Sequence, residues 1–294
     1  MTGTSPSTLD TVLVAGSGVL GSQIALQCAF QGKKVTIYDV AEEALAKLPQ
    51  AFERYAKGYK HDLDIDPAKV LEVAKGIGAT TDIAEAAKGA DIVIEAVPEK
   101  LEIKQSFYES LAPHLPENTI LCTNTSTLLP SAYAAATGRP EKFCALHFAN
   151  EVWKHNTGEV MPHAETDPAT IEEVTAFANE IGLIALPLKR EQPGYILNSL
   201  LVPLLDAGVD LMIADVADPE VIDKTWVAAT GSNYGPAQIL DIVGLQTPYH
   251  ITSNRAEAGD EAAKKRAEFL KPYIEAGRTG ISAGKGIYDY EEDA

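Results

Sequence analysis

Gly16-Ser17-Gly18-Val19-Leu20-Gly21 follows directly on the apolar, β-branched run TVLVAG (11–16) and opens a helical stretch. Glycines at this spacing, between a strand and a helix, suit the pyrophosphate of a dinucleotide. Gly16 permits the tight turn, Gly18 lets the backbone approach the phosphates, and Gly21 lets helix and strand pack closely. The N–H groups at the helix start, Val19 and Leu20 among them, face the negative charge. A glycine-rich turn with no ligand is the competing reading. The next β-branched run, KVTIYD, ends on Asp39, 18 residues past Gly21. A carboxylate there accepts hydrogen bonds from the adenosine ribose diol and repels a 2′-phosphate. No arginine follows it in Val40-Ala41-Glu42-Glu43, so NAD is expected rather than NADP. The alternative for Asp39 is an N-cap on the following helix.

The elements that must hold these groups are legible as alternation. Runs at 11–16, 34–39, 91–97, 118–124, 142–148 and 183–188 read as strands, the first and fourth continuously apolar as in a sheet covered on both faces. Helical periodicity fills the gaps at Val19–Gln31, Glu42–Tyr59, Leu101–Leu111 and Pro168–Ile181, with Leu20, Ile24, Ala25 and Cys28 on one face of the first. This predicts an α/β fold: an N-terminal Rossmann-type, doubly wound, mostly parallel sheet over residues 1–189. The pattern changes at KREQ (189–192) and Pro193-Gly194. Beyond it only helices are expected, at Tyr195–Ala214, Pro219–Ala229, Gln238–Val243, Pro248–Ala258 and Glu261–Ala276, giving an all-α C-terminal domain over 193–294. Its first helix is apolar on more than one face, as in a helix buried partly against a second subunit, and Pro203 marks a kink or a break. GRTGISAGKGIYDY reads as a loop leading to a short final segment.

Composition narrows the function classes. The chain has 294 residues, 46% hydrophobic and 22% charged, as in an ordinary globular protein. A formal net charge of −18 disfavours nucleic acid and anionic membranes as partners. The three cysteines, Cys28, Cys122 and Cys144, fit neither a zinc site nor a redox CxxC; no metal is expected, and each reads as a buried thiol in a reducing compartment. MTGTSPST lacks the basic and apolar parts of a signal peptide and no run of 18 apolar residues occurs, so the expected location is cytoplasmic.

Six further stretches, EAVPEKLEIK (95–104), TNTSTL (123–128), ALHFAN (145–150), QPGYILNSLLVPLL (192–205), GPAQILDIVGLQT (235–247) and GKGIYDY (284–290), follow one another in an order that resembles the 3-hydroxyacyl-CoA dehydrogenase family across nearly the whole chain. The resemblance implies a Rossmann domain, a helical dimerisation domain, a homodimer, and oxidation of a 3-hydroxyl or reduction of a 3-keto group with NAD. It implies a catalytic pair at His147 and, twelve residues on, Glu159. The chemistry is apt: loss of hydride from an alcohol requires a proton acceptor, an imidazole titrates near neutrality, and a carboxylate on its other nitrogen fixes the tautomer. Ser126 matches a substrate-contacting serine and Asn198 an active-site asparagine that holds a carbonyl or enolate-like oxygen. Val97, Glu99, Lys104, Asn124 and Asn150 match positions lining the cofactor. A satisfied core histidine, a solvated Glu159, a turn or cap serine and a helix-start asparagine are the plainer readings of the same residues.

The chain also departs from its relatives. FANEVWKHNTG (148–158) stands where many have an FFNPVP-type run, with Glu151 for proline and with Lys154 and His155. Positions that hold coenzyme A in relatives are Tyr55 and Asp62 here, with Lys57 and Lys60 nearby; a C-terminal lysine aligns with Ser282, beside Lys285. The leading expectation from the resemblance is an (S)-3-hydroxyacyl-CoA as substrate; the departures favour its rival, a free small 3-hydroxy acid, as in the related gulonate and carnitine dehydrogenases. A nucleotide-binding scaffold without catalysis is the third reading, and it predicts a broken catalytic set.

Overall fold

The computed structural model describes residues 7–290. Two compact units divide between Ile196 and Leu197. The first contains eight strands: β1 Thr11–Ala15, β2 Lys34–Tyr38, β3 Gly78–Thr80, β4 Ile92–Glu95, β5 Ile120–Thr123, β6 Phe143–Phe148, β7 Thr157–Met161 and β8 Ile184–Pro187. They form one sheet in the order β3-β2-β1-β4-β5-β6-β7-β8. β1 to β6 are mutually parallel, β7 runs antiparallel to β6, and β8 is parallel to β7.

Strand periodicity divides the buried residues between two faces. Val12 and Val14 pack with α1 (Val19–Phe30), α3 (Leu48–Leu63), α4 (Pro67–Ala74) and α7 (Pro168–Glu180). Leu13 and Ala15 pack with α5 (Ile83–Ala87) and α6 (Leu101–Leu111). Chain order reverses beside β1, which has β2 on one side and β4 on the other. The crevice at the carboxyl ends of β1 and β4 is thus the place where this topology accepts a ligand.

Several local expectations change. β3 and β7, and helices α4 and α5, were not visible as patterns. The predicted Glu42–Tyr59 helix is two, α2 (Glu42–Leu45) and α3, because Pro49 has no N–H to continue the ladder and sits instead in the first turn of α3. α1 is buried on every side from Gly21 to Cys28 rather than on one face. Residues 190–196 belong to the first unit, since the Tyr195 hydroxyl donates to Thr125 O at 2.6 Å and Ile196 N–H to Glu159 Oε1 at 2.9 Å.

The second unit holds α8 (Tyr195–Ile213, which begins two residues earlier, in the first unit), α9 (Pro219–Thr230), α10 (Pro236–Val243), α11 (Gln246–Glu257) and α12 (Glu261–Glu275). α8 runs through Pro203 without a break. By length and composition alone it is apolar enough to cross a membrane, with a mean hydropathy of 1.7. Yet it carries Asp206 and Asp210, both paired with Arg266 at 2.7 Å, and packs Leu205 and Val209 against Leu240 and Leu270. Two buried carboxylates explain the last two sequence motifs. Asp223 accepts from Ala237 N and Gln238 N at the start of α10, and Asp241 accepts from Ile287 N and Tyr288 N of the final segment. A Cβ at Gly235 would lie 2.4 Å from Asp223, and one at Gly286 2.0 Å from an Asp241 oxygen.

Candidate active site

The three glycines of the first motif do different work. Gly16 has φ +105°, and a Cβ there would lie 2.5 Å from Ala96 O at the end of β4; one on Gly21 would lie 2.0 Å from Gly16 O. Both are required by the chain's own packing. A Cβ on Gly18 would meet nothing within 4 Å. Gly18 is exposed and borders a cavity of about 630 Å³ shared with Ser17, Val19, Asp39 and Arg54; a second, of about 450 Å³, extends past Asp39 to Val97, Ile103 and Phe107. Open space over a bare helix start, with a carboxylate at one end and apolar walls beyond it, fits a dinucleotide's pyrophosphate, ribose and adenine. Asp39 is held in place at both oxygens: Oδ2 accepts from Ser17 N at 2.8 Å and Ser17 Oγ at 2.6 Å, and Oδ1 from Ala41 N at 3.1 Å. The N-cap of α2 is Ala41, so Asp39 does not serve there.

His147 lies near the end of β6 and Glu159 in the middle of β7, paired across the antiparallel ladder. The imidazole is held at both nitrogens. Nδ1 is 3.1 Å from Glu159 Oε2, and Nε2 is 3.1 Å from Ser126 Oγ. With Glu159 as carboxylate, Nδ1 carries the proton and Nε2 presents its lone pair toward the serine hydroxyl. Glu159 is 4% exposed, and its other oxygen takes the Ile196 N–H. Tyr195, absent from the sequence candidates, stacks on the imidazole with centroids 4.4 Å apart and planes 15° from parallel.

Glu99 organises the loop that carries Ser126. Its Oε1 accepts from Thr125 Oγ1, Ser126 N, Thr127 N and Thr127 Oγ1 at 2.5–2.9 Å. Burial raises the Glu99 carboxyl, but the Thr125 hydroxyl, the Lys104 charge and the Thr127 bonds outweigh it and hold the pKa at about 2. Lys104 is withdrawn from solvent, with Nζ 2.6 Å from Glu95 Oε1 and 3.2 Å from Glu99 Oε2. Glu95, fully buried, also accepts from Thr123 Oγ1; burial pushes its pKa up, against the pull of Lys104. Asn124 Oδ1 accepts from Phe148 N at 2.9 Å, tying the end of β5 to β6. Of the positions matched to cofactor lining, Val97 borders the crevice directly, whereas Lys104 and Asn124 brace the chain around it.

The segment joining β6 to β7 is clamped to two helices. Gln23 of α1, 4% exposed, donates to Asn150 Oδ1 and accepts from Glu151 N at 2.8 Å. Glu151 has φ +57°, which proline cannot adopt, and it uses an N–H that proline lacks. Proline therefore does not fit position 151 on this loop path. Asp62 of α3 accepts from Trp153 Nε1 at 2.9 Å and pairs with Lys154 at 3.2 Å. The Trp153 bond, followed by His61 and Lys154, holds the Asp62 carboxyl at about 2. Tyr55 OH sits 3.0 Å from Ser22 Oγ and donates to Val19 O at 3.1 Å, and its ring packs on Trp153. Lys60 bonds Asp64 on its own helix turn, and Lys57 is exposed.

The structure thus brings together Ser126, His147 and Glu159, and separately Gly16, Gly18, Gly21, Val19 and Asp39. Asn198 stands in α8, within the second unit. Sequence reasoning missed Tyr195, Gln23 and Arg54. Tyr195 lay inside a quoted motif, but an aromatic at a helix start carries no signal of its own.

Comparison with known proteins bears on this site. Residues 11–191 match the family described as 3-hydroxyacyl-CoA dehydrogenase, NAD binding domain, and residues 194–290 match 3-hydroxyacyl-CoA dehydrogenase, C-terminal domain. The chain is 32% identical to a probable 3-hydroxybutyryl-CoA dehydrogenase of Bacillus subtilis over 288 residues, 97% of this chain and 98% of the relative. Among solved structures, a diketoreductase described for its catalysis of dicarbonyl compounds is 46% identical, covering 96% of this chain and 99% of its own, with a TM-score of 0.92. The (S)-3-hydroxybutyryl-CoA dehydrogenase of Ralstonia eutropha is 26% identical, covering 97% and 100%, with a TM-score of 0.83.

Proposed function

This chain belongs to the 3-hydroxyacyl-CoA dehydrogenase family and is an NAD-dependent oxidoreductase, and from that premise we propose that it interconverts an (S)-3-hydroxyacyl-CoA and the 3-ketoacyl-CoA, with His147 and Glu159 as the acid–base pair. The observation that carries the proposal is the line Ser126 Oγ, His147 Nε2, His147 Nδ1, Glu159 Oε2, with 3.1 Å at each hydrogen bond. When bound, the nicotinamide supplies the hydride acceptor at its C4. His147 Nε2 takes the proton of the C3 hydroxyl as hydride leaves C3, and returns it to the C3 oxygen in the reducing direction. Glu159 stabilises the imidazolium formed in between. Ser126 shares the substrate oxygen with Nε2 and sets its angle. Gly18 and Asp39 face the cofactor, Gly16 and Gly21 shape the turn and the helix packing beneath it, and Val19, Leu20, Val97, Glu99, Lys104, Asn124 and Asn150 line or brace that site.

A second reading, reduction of a small keto acid or dicarbonyl compound without coenzyme A, is favoured by one observation. Asp62, at the position of a coenzyme A-holding lysine in relatives, is an anion already committed to Trp153 and Lys154. The 46% identity to a diketoreductase points the same way. NADH oxidation measured with acetoacetyl-CoA, free acetoacetate and a small 1,3-dicarbonyl compound separates the readings. The first requires the thioester to have the highest kcat/KM, and a higher value for either free compound replaces it with the second.

The quaternary proposal is a homodimer through the helical unit. It is supported by the exposed apolar residues of α8 and α9, Leu211 and Val221 among them, which border a groove of about 510 Å³. A role in fatty acid metabolism follows from the thioester reading. The buried free thiols Cys28, Cys122 and Cys144 fit a reducing, cytoplasmic setting.

A further inference from the structure

We infer that Tyr195 is a positioning residue for the catalytic pair: its ring fixes the plane of the His147 imidazole, while the backbone it starts fixes the Glu159 carboxylate. The inference rests on the proposed acid–base role of His147. Hydrogen bonds at Nδ1 and Nε2 define an axis through the imidazole but leave the ring free to rock about that axis. A flat surface on one face removes this motion, and the Tyr195 ring supplies it at 4.4 Å and 15°.

Three observations show that this contact is built rather than incidental. Tyr195 is 1% exposed, and its hydroxyl is tied to Thr125 O at 2.6 Å, beside Ser126. Burial, with the neighbouring tyrosine and carboxylates, raises the phenol pKa, so the hydroxyl stays protonated and donates. Both Gly194 (φ +77°) and Tyr195 (φ +55°) occupy the left-handed region. That conformation is unfavourable for a tyrosine, and such strain persists where surrounding contacts enforce it. Finally, the next residue, Ile196, donates its N–H to Glu159 Oε1 at 2.9 Å. One three-residue turn therefore touches the imidazole face, the carboxylate and the serine loop together.

The ring and the hydroxyl are separable by substitution. Tyr195→Phe keeps the stack and loses the bond to Thr125; Tyr195→Leu loses both. For Tyr195→Leu we expect kcat to fall about 10- to 100-fold, the order produced by misplacing a reacting group by up to about 1 Å. The dissociation constant for NADH, read by fluorescence, stays at the wild-type value. Tyr195→Phe recovers most of kcat. A spectroscopic signature accompanies this: the His147 ring protons, assigned by their disappearance in His147→Gln, are shielded by the tyrosine ring and move downfield in Tyr195→Leu but not in Tyr195→Phe. In the unsubstituted protein a nuclear Overhauser contact joins the two rings, a test that no folding defect of a variant affects. Absence of that contact, or an equal loss of kcat in the Phe and Leu variants, overturns the inference. Full turnover by His147→Gln overturns instead the reading on which it rests, and leaves the resonance result untouched.

Discussion

His147 and Glu159 are cross-strand partners on the antiparallel β6–β7 pair, so the sheet itself sets the approach of carboxylate to imidazole. The twelve-residue separation spans the end of β6, the clamped connection and the first half of β7.

Substitution of either member is expected to remove turnover with little effect on cofactor binding. His147→Gln and Glu159→Gln lower kcat by about 10²- to 10⁴-fold, the usual worth of a positioned acid–base group. The check is NADH consumption with acetoacetyl-CoA, set beside NADH affinity by fluorescence titration. A variant that keeps half of the wild-type rate is inconsistent with the mechanism.

On the proposed cofactor site, Asp39 is the residue expected to select NAD over NADP. Its oxygens are oriented by Ser17 and Ala41, facing the cavity beyond Gly16. Replacing Asp39 with Ala removes both the acceptor for the ribose hydroxyls and the repulsion of a 2′-phosphate. The ratio of kcat/KM for NADH over NADPH should fall about tenfold or more. An unchanged ratio assigns discrimination to another residue.

Lys104 is balanced between two carboxylates, and Glu95 is fully buried. Lys104→Met leaves that carboxylate without its cation, an arrangement that costs about 3–5 kcal/mol. Because burial raises the folded-state pKa of Glu95, the penalty is complete only above that raised value. It is relieved as pH falls through the raised folded value toward the ordinary carboxylate range. Urea denaturation of the variant should therefore show a midpoint that recovers, relative to wild type, on acidification. A constant difference from pH 7 to pH 5 would count against an ionised Glu95.

Asp62 gives the opposite sign. Its folded pKa is held at about 2, below the ordinary carboxylate value, so its contribution is complete above about pH 4 and is lost as pH falls toward 2. Asp62→Asn should lower the melting temperature at pH 7 and converge with wild type in acid. Thermal melts across that range, followed by tryptophan fluorescence, test it. Parallel curves with a fixed offset would assign the loss to packing alone.

The sequence pattern exposed the Rossmann core because β1, β2, β4, β5 and β6 are apolar runs between turn signals. β7 escaped notice for a local reason. TGEVM contains Gly158, which is tolerated because Leu183 and Leu146 fill the place of its side chain, with a hypothetical Cβ 2.9 Å from Leu183 Cδ1. β3, Gly78–Thr80, is too short to show a period. His147, Glu159 and Ser126 were reached through resemblance to a family, not through spacing, and the structure brings them into bonding distance. The clamp of Gln23 on Asn150 and Glu151 joins residues more than 120 positions apart, and no local signal reports a partner at that range.

The uneven surroundings of Gly16, Gly18 and Gly21 have a practical consequence for anyone surveying variants of this protein. Alanine at 16 or 21 obstructs the backbone, so such chains disappear from any assay that counts folded molecules. Alanine at 18 meets only open space and should accumulate normally, while on the proposed cofactor site its methyl group would stand in the way of the phosphates. Abundance alone would score position 18 as permissive, and only an affinity measurement would register what the proposed site asks of it.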